Sequence, residues 1–118
     1  MSSGGVPAGI SLDNWLSPPH SHWSFQHVED FVPTAVIPRG TGPTAALPAA
    51  GAPVAEIQVT NTDGVATTVG AVMATTATDG WAVAYRGSMV AEEYLDGLQA
   101  HTRHLLFSVS KSLVAAVV

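Results

Sequence analysis

A chain of 118 residues makes one domain at most, and with 47% hydrophobic and 11% charged residues it has the apolar content for a core. Nine acidic residues face four basic ones, and the basic ones (Arg39, Arg86, Arg103 and Lys111) are scattered. Nucleic acid and anionic membrane surfaces, which need clustered cations, are therefore poor candidates as partners. The absence of cysteine excludes a disulfide framework and a thiolate zinc site.

Met1 to Pro7 lacks the basic and apolar regions of a secretory leader. The longest uninterrupted apolar stretch, Leu113 to Val118, is too short to cross a bilayer. A cytoplasmic protein is expected. All eight prolines lie within residues 1–53, a density that forbids long helices and central strands there. Inside this stretch Trp23, Phe25, Val28 and Phe31 are spaced to line one side of a short helix ended by Pro33. Large rings seek a surface to cover, so this arm is expected to wrap over a larger body, with Trp15, Trp23 and Trp81 as anchors. Gly40 to Pro53 reads as linker. The expected division is thus an arm and linker over 1–53 and a folded portion over 54–118.

From Val54 the pattern changes. Val54 to Thr60 alternates as a short strand, and Asn61-Thr-Asp-Gly64 is turn chemistry. Thr67-Thr68 precede a short helix from Val69 with Val69, Val72 and Met73 on one face, broken at Asp79-Gly80. Trp81–Tyr85 and Met89–Tyr94 flank Arg86-Gly87-Ser88 and read as an antiparallel hairpin. His101 to Leu106 is a loop. A helix then starts at Phe107-Ser108 and is apolar on nearly every side after Ser112, the pattern of a buried central helix.

Ser108 and Lys111 stand three apart at the head of that helix, so their side chains share a face. A serine hydroxyl is a poor nucleophile until a base takes its proton. Lysine serves as that base when it is neutral, which desolvation favours. The helix N-terminus presents free backbone N–H groups, that of Ser108 among them, where an oxyanion would form. So short a motif also arises as a serine cap followed by a surface lysine, and the context of hairpin, loop and apolar helix is what favours the catalytic reading. Ser110 and Ser112 have no lysine three residues later. His101 and His104 share the i, i+3 spacing of some metal ligands and His20, His22 and His27 cluster upstream, but no carboxylate is placed as in a known zinc motif, so they read as loop histidines, with no metal or cofactor expected. Glu92 and Glu93 are neighbours on a strand, face opposite sides and cannot form a catalytic carboxylate pair.

Leu105-Leu-Phe-Ser-Val-Ser-Lys-Ser-Leu113, after Tyr85-Arg-Gly-Ser and Ala91-Glu-Glu-Tyr94, resembles the serine β-lactamase and penicillin-binding-protein superfamily, in particular its 6-aminohexanoate-dimer hydrolase and esterase-like branch. Leu12-Asp-Asn-Trp15, Pro19-His20, Trp23, Phe25 and Val32-Pro-Thr-Ala-Val36 resemble the N-terminal region of that branch. The resemblance implies an α+β fold, the N-terminal part of a β-lactamase-like domain in which the hairpin leads into a buried helix. It implies Ser108 as acylated nucleophile, Lys111 as general base and a small amide or ester substrate. The superfamily also uses a Tyr-x-Asn or Ser-x-Asn element, a Lys/His-x-Gly type element, and later strands that complete the sheet and oxyanion hole. None follows Lys111 here, and Tyr94-Leu95-Asp96 is not an equivalent. The expectation is an incomplete domain that needs its C-terminal part and is inactive by itself. The competing expectation is a small non-catalytic α+β module that binds a partner through its aromatic arm and terminal helix.

Overall fold

The computed structural model describes residues 4–118; Met1 to Ser3, part of the stretch searched for a leader, lie outside the described residues. Contacts divide the chain into two compact units, one made of residues up to Ala35 together with His101–Val118, the other of Val36–Ala100.

In the first unit the arm begins with tight turns, and the Pro18–Pro19 peptide is cis. Helix α1 (His20–Ser24) follows. The single helix expected through Phe31 does not form. After α1 the chain makes a separate 3-10 turn at Val28–Asp30. At the break, polar side chains take backbone carbonyls: Gln26 donates to the His22 carbonyl at 2.7 Å, and His27 Nδ1 lies 2.7 Å from that of Trp23. Such local side-chain bonds compete with helix continuation. The buried Ser24 hydroxyl donates to the Trp15 carbonyl, tying α1 to the preceding turn.

The rings then pack largely on one another. Trp15 meets Phe25 edge-on at 6.3 Å and Phe31 at 5.7 Å, and Trp23 stacks on His27 at 4.3 Å and meets Phe31 at 5.8 Å. Trp15 and Trp23 are half-buried, so they anchor a local aromatic cluster.

In the second unit Val54–Glu56 is a 3-10 turn, and the expected strand is confined to β1 (Gln58–Thr60). It pairs antiparallel with β2 (Ala66–Thr68). Asn61 Oδ1 accepts from the Asp63 and Val65 N–H groups at 3.0 and 2.9 Å, which closes the connecting turn. Helix α2 (Val69–Thr75) starts where the threonines indicate: Thr68 Oγ1 accepts the Ala71 N–H at 3.2 Å. Val69, Val72 and Met73 are half-buried, whereas Ala71, Ala74 and Thr75 are exposed.

The hairpin consists of β3 (Gly80–Tyr85) and β4 (Ser88–Tyr94). Its connection is two residues, shorter than expected, because Ser88 already pairs with Tyr85. Arg86 and Gly87 have φ of 48° and 80°, the left-handed pair that a type I′ turn requires. The register jumps from Val83↔Ala91 to Ala84↔Met89, leaving Val90 as an extra residue in a bulge. The Val90 and Met89 carbonyls accept from Ala52 and Ala50, both at 2.8 Å. Residues 48–52, the end of the expected linker, thus run beside β4, in a parallel bridge of Ala49 with Met89.

The chain returns to the first unit for a 3-10 turn (Phe107–Val109) and helix α3 (Ser110–Val117). The helix expected to be buried is exposed along its whole length, with Leu113 at 58% and Val117 at 88%. Its apolar residues face nearly every direction, and the described residues supply no second surface to cover them. No apolar side chain is fully buried among the described residues. No helix among them is long and apolar enough to cross a membrane.

Candidate active site

Ser108 lies inside the 3-10 turn and Lys111 in the first turn of α3, so the pair spans the junction between two kinds of helix. In a 3-10 segment residues i and i+3 eclipse. The Lys111 ammonium accordingly reaches the Ser108 hydroxyl and donates to Oγ at 3.2 Å. General-base chemistry needs the reverse, a neutral amine accepting the hydroxyl proton. Both side chains are exposed, and an apolar cover is what lowers the cost of a neutral lysine.

The residue before Ser108 is unusual. Phe107 has φ of 47°, left-handed backbone in a bulky aromatic. The conformation costs about 1–2 kcal/mol in an L-residue and persists only where surrounding contacts hold it. Two such contacts come from the arm. The Phe25 ring meets that of Phe107 edge-on at 5.4 Å, and the Phe25 carbonyl accepts the Leu105 N–H at 2.8 Å. An aromatic pair contributes about 0.5–1.5 kcal/mol and a hydrogen bond about as much, enough together to offset the strain. His104 also packs edge-on against Phe25 at 5.7 Å, with Nδ1 2.9 Å from the Leu105 carbonyl. Residue spacing places Phe25 on one side of an arm helix but does not point it to Phe107, and nothing in the spacing marks the backbone of Phe107.

Other candidates separate from this pair. His27 stacks on Trp23, and His101 is exposed. Glu92 and Glu93 pair with Ala82 and Trp81 respectively, so they do occupy opposite faces of the hairpin. Glu92 instead accepts from the Tyr94 hydroxyl, two residues along on the same face. This hydrogen bond, with slight burial and the carboxylate charge, raises the Tyr94 phenol above its ordinary value.

No family model matches the chain. A 6-aminohexanoate-dimer hydrolase from Paenarthrobacter ureafaciens is 35% identical over 97% of this chain, and the match covers 28% of that relative. A solved structure from Bacillus anthracis, provisionally identified as a 6-aminohexanoate-dimer hydrolase, superposes with a TM-score of 0.82 at 24% identity. That superposition covers 96% of this chain and 29% of the other. The chain therefore has the mixed helix and strand fold of one segment of that structure, and it spans under a third of the length of each of these two proteins.

Proposed function

We propose that this chain carries the nucleophile and base of a serine hydrolase of the β-lactamase-like class, acting on an amide or ester bond. The observation that carries the reading is the 3.2 Å approach of Lys111 Nζ to Ser108 Oγ at the head of an apolar helix. The similarity to proteins named as 6-aminohexanoate-dimer hydrolases supports it. In the reaction Oγ bonds to the substrate carbonyl carbon while its proton passes to the neutral Lys111 amine. The carbonyl π electrons move onto oxygen, beside N–H groups such as that of Ser108. Collapse breaks the bond to the leaving amine or alcohol, which takes up a proton. Water then attacks the acyl carbon and frees Ser108. A tyrosine or serine element and a completing strand, from sequence beyond Lys111, would supply the remaining proton transfer and oxyanion donor.

A fluorophosphonate probe tests the nucleophile. In the full-length protein labelling is expected on Ser108, absent in Ser108→Ala and strongly slowed in Lys111→Ala; labelling that persists in Ser108→Ala ends the reading. The 118-residue chain alone is expected to turn over amides or esters negligibly, since each missing catalytic donor is worth about 10²–10³ in rate. The exposed α3 favours a second reading, a non-catalytic module that docks a partner there. That reading requires cooperative unfolding of the isolated chain together with no serine labelling.

A further inference from the structure

We propose that Phe25 is a positioning residue for Ser108: its ring and carbonyl hold Phe107 in the left-handed conformation that sets the direction of the nucleophile turn. The proposal rests on the reading of Ser108 as nucleophile only for its catalytic consequence. Its structural content stands on geometry within one compact unit.

The strained residue immediately precedes Ser108, so its φ governs how the chain enters the 3-10 turn and where Oγ points. Phe107 is 54% exposed, so burial by neighbours on all sides does not impose the conformation. Its described ring partner is Phe25, at 5.4 Å and an interplanar angle of 82°. The clamp has two arms on one residue, because the Phe25 backbone also holds Leu105, two positions before Phe107, at 2.8 Å. Phe25 is braced from behind by the Trp15 ring at 6.3 Å, and Trp15 is fixed through its carbonyl by Ser24. An unbroken series of contacts thus runs from Trp15 through Phe25 to Phe107 and on to Ser108. It gives the aromatic arm a definite task, which is to set the backbone of the nucleophile turn.

The test separates orientation from general destabilisation. A residue with positive φ shows an intense intraresidue amide-to-α-proton NOE, read on the chain labelled with ¹⁵N-phenylalanine. The wild-type chain is expected to show it at Phe107, as is Phe25→Tyr, which keeps an edge-on ring. Phe107→Leu removes the ring contact while leaving Phe25 packed on Trp15, and the NOE at position 107, read with ¹⁵N-leucine, is expected to weaken. Phe25→Leu is expected to weaken it as well, and to slow fluorophosphonate labelling of Ser108 by about tenfold. Adding Phe107→Gly, which adopts positive φ without strain, is expected to restore most of that rate. An undiminished NOE in Phe25→Leu and Phe107→Leu overturns the proposal, as does an equal labelling defect with and without Phe107→Gly. Absence of labelling in the full-length wild-type protein ends the nucleophile reading, and the NOE comparison still decides the clamp.

Discussion

On the hairpin the Tyr94 hydroxyl donates a hydrogen bond to the Glu92 carboxylate. Glu92 accepts the phenol proton and repels a phenolate, so ionisation of Tyr94 is driven to higher pH. The sign for stability follows from linkage. A group whose pKa is raised by folding contributes fully below its unfolded value and loses that contribution as pH rises through the folded one. Ultraviolet titration near 295 nm should therefore give a higher Tyr94 midpoint in the wild type than in Glu92→Ala, and the alkaline loss of hairpin stability that the pair causes in the wild type should be smaller in the variant. The exposed pair makes this a shift of midpoint with little effect at neutral pH. Ser108 and Lys111 were legible at this scale, because three-residue spacing on a helix is local geometry. Phe107's left-handed backbone was not, since nothing in a phenylalanine announces a positive φ.

At the scale of elements, the hairpin shows two glycines required for different reasons. Gly87 has open space around it but φ of 80°, so Gly87→Ala should cost about 1–2 kcal/mol through backbone strain alone. Gly80 has an ordinary backbone but no room: a Cβ there would lie 2.7 Å from Leu98 Cδ2 and 3.1 Å from the Glu93 carbonyl oxygen. The leucine methyl can swing aside and the carbonyl cannot, so Gly80→Ala should cost about 1 kcal/mol, the low end for overpacking. Denaturant unfolding of both variants checks the order. Arg86 is held at φ of 48° while its guanidinium sits 5.1 Å from the Tyr85 ring centroid. Arg86→Asn would relieve the strain and forfeit an exposed cation–π contact of about 0.5–1 kcal/mol, leaving it close to neutral. Turn, strand and helix from Asn61 to Tyr94 were largely legible because capping and turn chemistry are local. Period alone predicts too long an arm helix, because it does not register the side-chain bonds at Gln26 and His27 that end it.

For the whole molecule, the deciding fact is apolar surface left in water. Leu113, Val114 and Val117 on α3 and Val109 before it are exposed, and no apolar side chain is fully buried among the described residues. With so little burial the net stability must be small, because conformational entropy is opposed by area removed from water. Such a surface promotes association. The isolated chain is expected to bind a hydrophobic dye and to self-associate with rising concentration. Leu113→Lys with Val117→Glu should reduce both without lowering the unfolding midpoint, since neither side chain is packed. Dye fluorescence and sedimentation velocity measure this, and a monomeric, dye-silent wild type would contradict it.

The sequence by itself determined what depends on neighbours along the chain: the hairpin between Gly80 and Tyr94, the cap at Thr68, and the common face of Ser108 and Lys111. Periodicity and turn chemistry act over a few residues, so they are written in local order. Only the tertiary structure decided which surfaces meet. It placed Phe25 against Phe107, brought residues 48–52 beside β4, and left α3 uncovered where its apolar pattern predicted burial. The physical reason is that an apolar helix states a need for a partner surface, while the supply of that surface depends on segments far away in the chain.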